Sequence, residues 1–151
     1  MFLENAKKLN IDIKDIDTVV ISHGHYDHGG ALKTFLENND KAKIYFGENA
    51  FQPYYTNLLW FKYYIGLDRS LENNERFVFT RDITVIDEEL ELFAGITSRN
   101  CVYEHKNNMF RKSGGNYIAD TFEHEQCLLI RENDHITLYS GCAHTGIVNV
   151  M

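Results

Sequence analysis

The sequence predicts a mixed α/β fold with helices packed on sheets. Three observations carry that prediction. The β-branched run "TVVI" is followed by a polar turn and an amphipathic stretch, which makes a strand–loop–helix unit. A second short apolar run, "AKIYFG", comes after that helix. The second half then breaks into brief alternating or β-branched runs separated by turn residues, the pattern of a meander.

Each element follows from its residues. Phe2, Leu3, Ala6 and Leu9 fall at helical spacing, so residues 2–9 are expected to form a short surface helix. "IDIKDID" alternates and leads into a buried strand at 18–22, where the β-branched run is short and continuous. Ala31, Leu32, Phe35 and Leu36 share one face, which predicts a helix over 28–38 ended by Asn38 and Asn39. A second strand spans 42–47 and closes at Gly47. Residues 48–65, "ENAFQPYYTNLLWFKYYI", are densely aromatic and expected to be helical after Pro53, with Gly66 as the break. Phe51, Tyr54, Tyr55, Leu58, Leu59 and Lys62 would share a face, and Trp60, Phe61, Tyr63 and Tyr64 would wrap the others. A helix apolar all round is either buried or covers something. Core packing is the favoured role, and a lid stacking a flat hydrophobic substrate is the alternative. "RFVFT", "ITVID", "ELELFAGI", "CLLIREN" and "HITLYSG" read as strands. The polar stretch 104–122, centred on "KSGGN", reads as a loop, with Arg111 and Lys112 as candidate phosphate-binding cations on it.

Length and composition bound the function. A chain of 151 residues with 44% apolar and 25% charged content suits one globular domain, residues 1–151. A net charge of −7 argues against nucleic acid as a partner. The apolar runs are too short to span a bilayer, and "MFLENAKKLN" is amphipathic rather than a signal peptide. A cytoplasmic location with no membrane partner is expected. Cys101, Cys127 and Cys142 are odd in number and widely spaced, which predicts free thiols.

The segment "SHGHYDHGG" at 22–30 carries the chemistry. His23 and His25 are two apart at a strand end, so alternation sends both rings to one side, where they can share a cation. Asp27 and His28 lie where the chain turns into a helix and can point at an adjacent cation position. Imidazole nitrogen and carboxylate oxygen suit zinc, iron or manganese. From composition alone the spacing H-x-H-x-D-H would arise roughly once in a thousand such chains.

"SHGHYDHGG" resembles the metal-binding signature of the metallo-β-lactamase-fold hydrolases. The resemblance implies an αββα sandwich with metals at the sheet edges. It implies that His23 and His25 bind a first ion, and that Asp27 and His28 bind a second. It also implies a third first-site ligand after a later strand, and His144 in "LYSGCAHTG" fits that place. "SHGHYDHGGAL", "IGL", "DTFEHEQCLLI" and "GCAHTGIVNV" together are similar to a branch described as dihydropterin-type ribofuranosylaminobenzene phosphate synthase-like enzymes or metal-dependent hydrolases. Against that family the fold looks incomplete at both ends. Open sheet edges then favour low stability or a homo-oligomer.

The function expected is hydrolysis of an ester, phosphoester or similar small molecule by a metal-activated water, with Asp27 as general base. The cofactor would be one or two ions, zinc first and iron or manganese as alternatives. The substrate would be aromatic and phosphorylated. A pterin-type synthase-like enzyme and a catalytically inactive metal-binding remnant are the competing readings. His124, between Glu123 and Glu125, is open between two roles. It is either a proton shuttle or partner near the metals, or a strand-entry histidine satisfied by a carboxylate. His105 and His135 read as surface histidines, and Cys142 as a small buried filler rather than a reactive thiol.

Overall fold

The computed structural model describes residues 1–96 and 108–151. Helix α1 (Phe2–Lys8) and a 3-10 turn (Ile13–Asp15) lead into β1 (Thr18–Ile21), α2 (Tyr26–Gly29), α3 (Leu32–Asn38) and β2 (Lys43–Gly47). A hairpin of β3 (Tyr54–Leu58) and β4 (Phe61–Tyr64) follows, then β5 (Phe77–Thr80), β6 (Ile83–Val85) and β7 (Leu90–Ala94). The remainder is β8 (Met109–Ser113), β9 (Asn116–Ala119), β10 (Gln126–Glu132), β11 (His135–Tyr139) and α4 (Ile147–Val150). No described helix is long and apolar enough to cross a membrane.

The described strands form three sheets. One is parallel, in the order β1-β2-β5. One is antiparallel, in the order β11-β10-β7-β6, and the third, also antiparallel, is β4-β3-β8-β9. The central parallel strand is the most buried of the three, and Ile44, Tyr45 and Phe46 on it are all buried. That is the expected composition of a parallel strand covered on both faces. Ile44 and Phe46 join Ala6 of α1, Leu32 and Phe35 of α3, and Phe51 and Leu67 from the loops in one core. Phe46 packs on Phe51 and Phe77 with ring centroids 5.1 and 4.8 Å apart. Burial of each such side chain contributes about 1.5–3 kcal/mol.

One buried side chain ties the parallel sheet to the next. Gln126, the first residue of β10, donates from Nε2 to the carbonyls of Ile21 and Tyr45 at 2.8 and 2.9 Å. Its Oε1 accepts from Thr80 Oγ1 at 2.6 Å, and its backbone N–H donates to the Ser22 carbonyl at 2.8 Å. The joint fixes the start of β10 against the ends of β1, β2 and β5. The ends of β1 and β10 are where the candidate site lies.

Three sequence expectations need correction. The aromatic stretch 48–65 is not a helix; its second half is the β3–β4 hairpin. Aromatic residues favour strands, and β3 finds a partner in β8, with Tyr55 opposite Phe110 and Thr56 opposite Met109. The stretch 104–122 is not one loop. Where described, it carries β8 and β9, joined by Gly114 and Gly115 at φ +55° and +87°. A two-residue turn with both residues in the left-handed region is what a tight hairpin needs. The helix expected over 28–38 is split into α2 and α3 around Gly30 and Ala31. His105 and Cys101 lie outside the described residues.

Candidate metal centre

Chain direction brings the histidines together. β1 ends at Ile21, and the next residues cross the top of the sheet rather than continue it. Gly24 makes this crossing possible, because a Cβ there would run into the Ala50 carbonyl. His23 and His25 flank it and are both buried. On the other side, the segment after β11 returns His144 to the same point. Donor atoms of His23, His25 and His144 lie within 4.8 Å of one another. The ring centroids of His23 and His25 are each about 5 Å from that of His144, at 5.0 and 5.1 Å.

The surroundings of these rings fit a cation. Nε2 of His23 and Nε2 of His25 are buried and have no hydrogen-bond partner. Native interiors rarely leave such atoms unmatched without a reason such as a bound ion. Burial, then the neighbouring rings of His25, His28, His144 and His124, push the His23 pKa far below the usual imidazole range. The ring is therefore neutral, which is the form that donates a lone pair. The donor set is three imidazoles, the set of an open catalytic zinc site, so the residues present fit a divalent ion.

Supporting contacts orient the candidate ligands. The Ser22 hydroxyl lies 3.0 Å from His23 Nδ1 and 3.1 Å from His28 Nδ1. The His144 N–H donates to Glu125 Oε1 at 2.8 Å. Glu125 Oε2 accepts from the Thr145 N–H at 3.0 Å and from its hydroxyl at 2.8 Å. Phe122 stacks on the His144 ring at 4.5 Å and 7°. Asp120 is buried, with Oδ2 3.2 Å from His124 Nε2 and 3.7 Å from His25 Nε2. Burial would raise the Asp120 pKa, but the hydrogen bond with His124 and the nearby His25 ring hold the carboxyl well below the usual range. Asp120 thus stands beside the same His25 nitrogen that faces the three-histidine position.

The other predicted residues fall as follows. His124 is fully buried behind the centre. Its Nδ1 accepts from the Gly24 N–H at 2.8 Å and its Nε2 faces Asp120. Both ring nitrogens are thus occupied, which leaves none to carry protons to a substrate. Asp27 is exposed at the rim, its Oδ2 3.7 Å from His28 Nε2. His28 is not in the three-histidine group; its Nε2 is 3.2 Å from Cys142 Sγ. Cys142 is exposed, not a buried filler. Burial and the carboxylates of Asp27 and Glu125 push its thiol up. His135 is exposed on β11. The helix that begins at the site, α2, has only four residues, too short for an appreciable dipole. Arg111 and Lys112 stand on β8, so alternation sends them to opposite faces. Lys112 lies 5.7 Å from the Tyr117 ring. Sequence inspection overlooked Ser22, Asp120 and Glu125. The only local signal was the Asp120–His124 spacing of four.

A cleft of about 220 Å³ opens in front of the centre. His25, Asp27, Cys142 and His144 form its floor and rim, and Thr56, Ile65 and Met109 close it from the hairpin side. Fold and site together define a candidate metal centre built on histidines at a sheet end. The chain belongs to the metallo-beta-lactamase superfamily, whose family model matches residues 1–107. A crystal structure of Tm1679, described as a metal-dependent hydrolase of the beta-lactamase superfamily, superimposes with a TM-score of 0.79 and 34% identity. The match covers 99% of this chain and 54% of that one. A 7,8-dihydropterin-6-methyl-4-(beta-D-ribofuranosyl)-aminobenzene-5'-phosphate synthase of Methanocaldococcus jannaschii is 28% identical over 99% of this chain and 54% of its own length. An uncharacterized protein of the same organism is 29% identical over 98% of this chain and 56% of its own length. The chain therefore spans about half the length of the relatives it matches.

Proposed function

We propose that the protein hydrolyses an ester or phosphoester bond in a small molecule at a cation held by His23, His25 and His144. The observation that carries this is the convergence of three imidazoles with buried, unmatched Nε2 atoms on His23 and His25. A divalent ion there supplies a Lewis acid and a water of lowered pKa. Zinc is the first candidate, since three imidazoles and an open position suit it, and iron and manganese are alternatives. The protein residues do the rest. Asp27, on the rim of the same cleft, orients the attacking water and takes its proton. The water oxygen adds to the carbonyl carbon or phosphorus, the ester bond breaks, and the leaving oxygen takes up a proton. Thr56, Ile65 and Met109 offer an apolar wall to the substrate body.

A second reading, a synthase-like reaction on a phosphorylated pterin-type substrate, draws on the similarity to the Methanocaldococcus synthase. Arg111 shares the β8 face of Met109 and would then meet the phosphate. The deciding test is turnover of generic ester and phosphodiester substrates by the full chain, with zinc, with manganese and after chelation. Chelator-sensitive hydrolysis supports the proposal. Turnover that survives chelation refutes it, and tight metal binding with no turnover marks a metal-binding protein without hydrolase activity.

A further inference from the structure

The β3–β4 hairpin gathers large apolar side chains at its turn. Leu58 pairs with Phe61, so Leu59 and Trp60 make a two-residue turn. All four are exposed, from 59% at Leu58 to 91% at Trp60, and Tyr63 behind them is exposed too. Single apolar residues on a surface are ordinary. Five within positions 58–63 form a contiguous patch of the kind that marks a protein or membrane contact. The turn residues are themselves an uncommon choice. Hairpins of this length favour Asn-Gly or a glycine pair, which accept positive φ without strain. Here Leu59 holds φ +55°, a costly conformation for leucine. Local turn chemistry therefore does not account for two large apolar side chains at this point.

Charge and shape favour lipid over protein as the occupant. Residues 54–64 hold one cation, Lys62, and no carboxylate, in a chain of net charge −7. The neighbouring hairpin, 109–119, adds Arg111 and Lys112, again with no carboxylate. Arg111 stands opposite Tyr54 at the base of the β3–β4 hairpin, so Lys62 is the cation next to the turn. Lys62 Nζ lies over the Phe110 ring, a contact that leaves its charge uncancelled. An anionic surface attracts such a point and repels the acidic remainder of the chain. The point is also convex. Two convex points touch over little area, against about 800 Å² per partner in a stable protein interface. Fluid acyl chains close round such a shape. Depth agrees with this. A strand rises about 3.3 Å per residue, and interfacial segments sink about 5–10 Å. That depth takes in the turn and the Leu58–Phe61 pair. Lys62 and Tyr63, on the rungs behind, then stand among the headgroups, where lysine and tyrosine are favoured.

We propose that the β3–β4 hairpin docks the protein on an anionic lipid surface, with Leu58, Leu59, Trp60 and Phe61 among the acyl chains and Lys62 at the phosphates. The expectation of no membrane partner rests on apolar runs too short to span a bilayer, and a hairpin that enters one leaflet needs no such run. The proposal is independent of any cation at the histidines.

The full chain, with a chelator present throughout, is floated with vesicles of phosphatidylcholine and with vesicles of three parts phosphatidylcholine to one of phosphatidylglycerol. The mixed vesicles should carry the protein, and the neutral ones should carry several-fold less. Leu59→Asn combined with Trp60→Gly supplies the ordinary turn residues. That variant should keep or raise Tm and lose at least about tenfold in vesicle binding. Lys62→Gln should weaken binding to the mixed vesicles about fivefold and leave the neutral ones unchanged. Acyl chains bearing a photoactivatable diazirine should label residues 58–61, located by peptide mass. Failure to float with the mixed vesicles overturns the proposal. So does wild-type binding by the turn variant, or labelling confined to other segments. Dimerisation that the turn variant abolishes, in protein that does not float, assigns the turn to a second copy and overturns the lipid proposal as well.

Discussion

Glu125 offers the sharpest test of how the site is held. The carboxylate is fully buried and accepts three hydrogen bonds, from the His144 N–H, the Thr145 N–H and the Thr145 hydroxyl. All three donors belong to the turn that delivers His144. That turn is under local constraint, because Ala143 has φ +50°. Hydrogen bonds to a charged group contribute about 1.5–3 kcal/mol each, and they do not add fully. Glu125→Ala strands three donors in the interior and should cost about 3–5 kcal/mol. Glu125→Gln keeps one acceptor oxygen and turns an amide N–H toward the others, so about 2–3 kcal/mol is expected. For a chain of this length those costs lower Tm by roughly 2–4 °C per kcal/mol. Once the turn loosens, His144 no longer meets His23 and His25, and zinc affinity should fall about 10–100-fold. Thermal unfolding of the metal-free protein and competition titration with a zinc chelator read the two effects separately. If both variants melt with wild type and bind zinc equally well, the carboxylate does not hold His144 and the reasoning fails.

Three further outcomes follow from contacts around the centre. Asp120→Asn replaces the acceptor behind His124 and beside His25, and zinc affinity should drop about tenfold or more while the far-ultraviolet spectrum is kept; equal affinity would detach Asp120 from the site. Gly24→Ala pushes a methyl into the Ala50 carbonyl and disturbs the N–H that His124 Nδ1 accepts, so it should destabilise by at least about 2 kcal/mol in urea; a neutral result would show that the crossing relaxes freely. The third concerns acid. His23 has a folded pKa far below its unfolded value near 6.5, so below that pH the unfolded chain binds a proton that the folded one refuses. Stability of the metal-free protein should therefore fall as pH drops below about 6.5, by up to about 1.4 kcal/mol per pH unit from this group. Asp120, also depressed, adds loss in the same direction once the pH nears the ordinary carboxylate range. Urea midpoints at pH 7 and pH 5 check the sign, and His23→Gln should flatten the dependence. A midpoint that rises on acidification would contradict it.

Much of the fold can be read from local pattern. β1, β2, β5 and β10 lie where β-branched or aromatic runs predict them, because short continuous runs of such residues favour strands. The aromatic stretch after Pro53 could not be read that way. Its residues satisfy a helical and a strand pattern equally, and the choice is made by β8, more than fifty residues on. Gly114 and Gly115 are the local clue to the β8–β9 hairpin, and the polar residues flanking them mask its strands. In the site, His23, His25, Asp27 and His28 announce themselves by spacing, and His144 through the family resemblance. Glu125, Asp120 and Ser22 act through hydrogen bonds or ring packing, and nothing in their local spacing shows which distant group they meet. The Gly24–His124 bond likewise joins residues a hundred positions apart.

The β3–β4 hairpin ends in an apolar tip, where Leu59 is 83% and Trp60 91% exposed. Trp60 is the chain's single tryptophan. Its indole already emits from water in the folded state, so intrinsic fluorescence will barely register denaturation. The same residue makes a built-in optical probe of the hairpin: any molecule that settles under the tip should shift its emission to the blue, with no label attached.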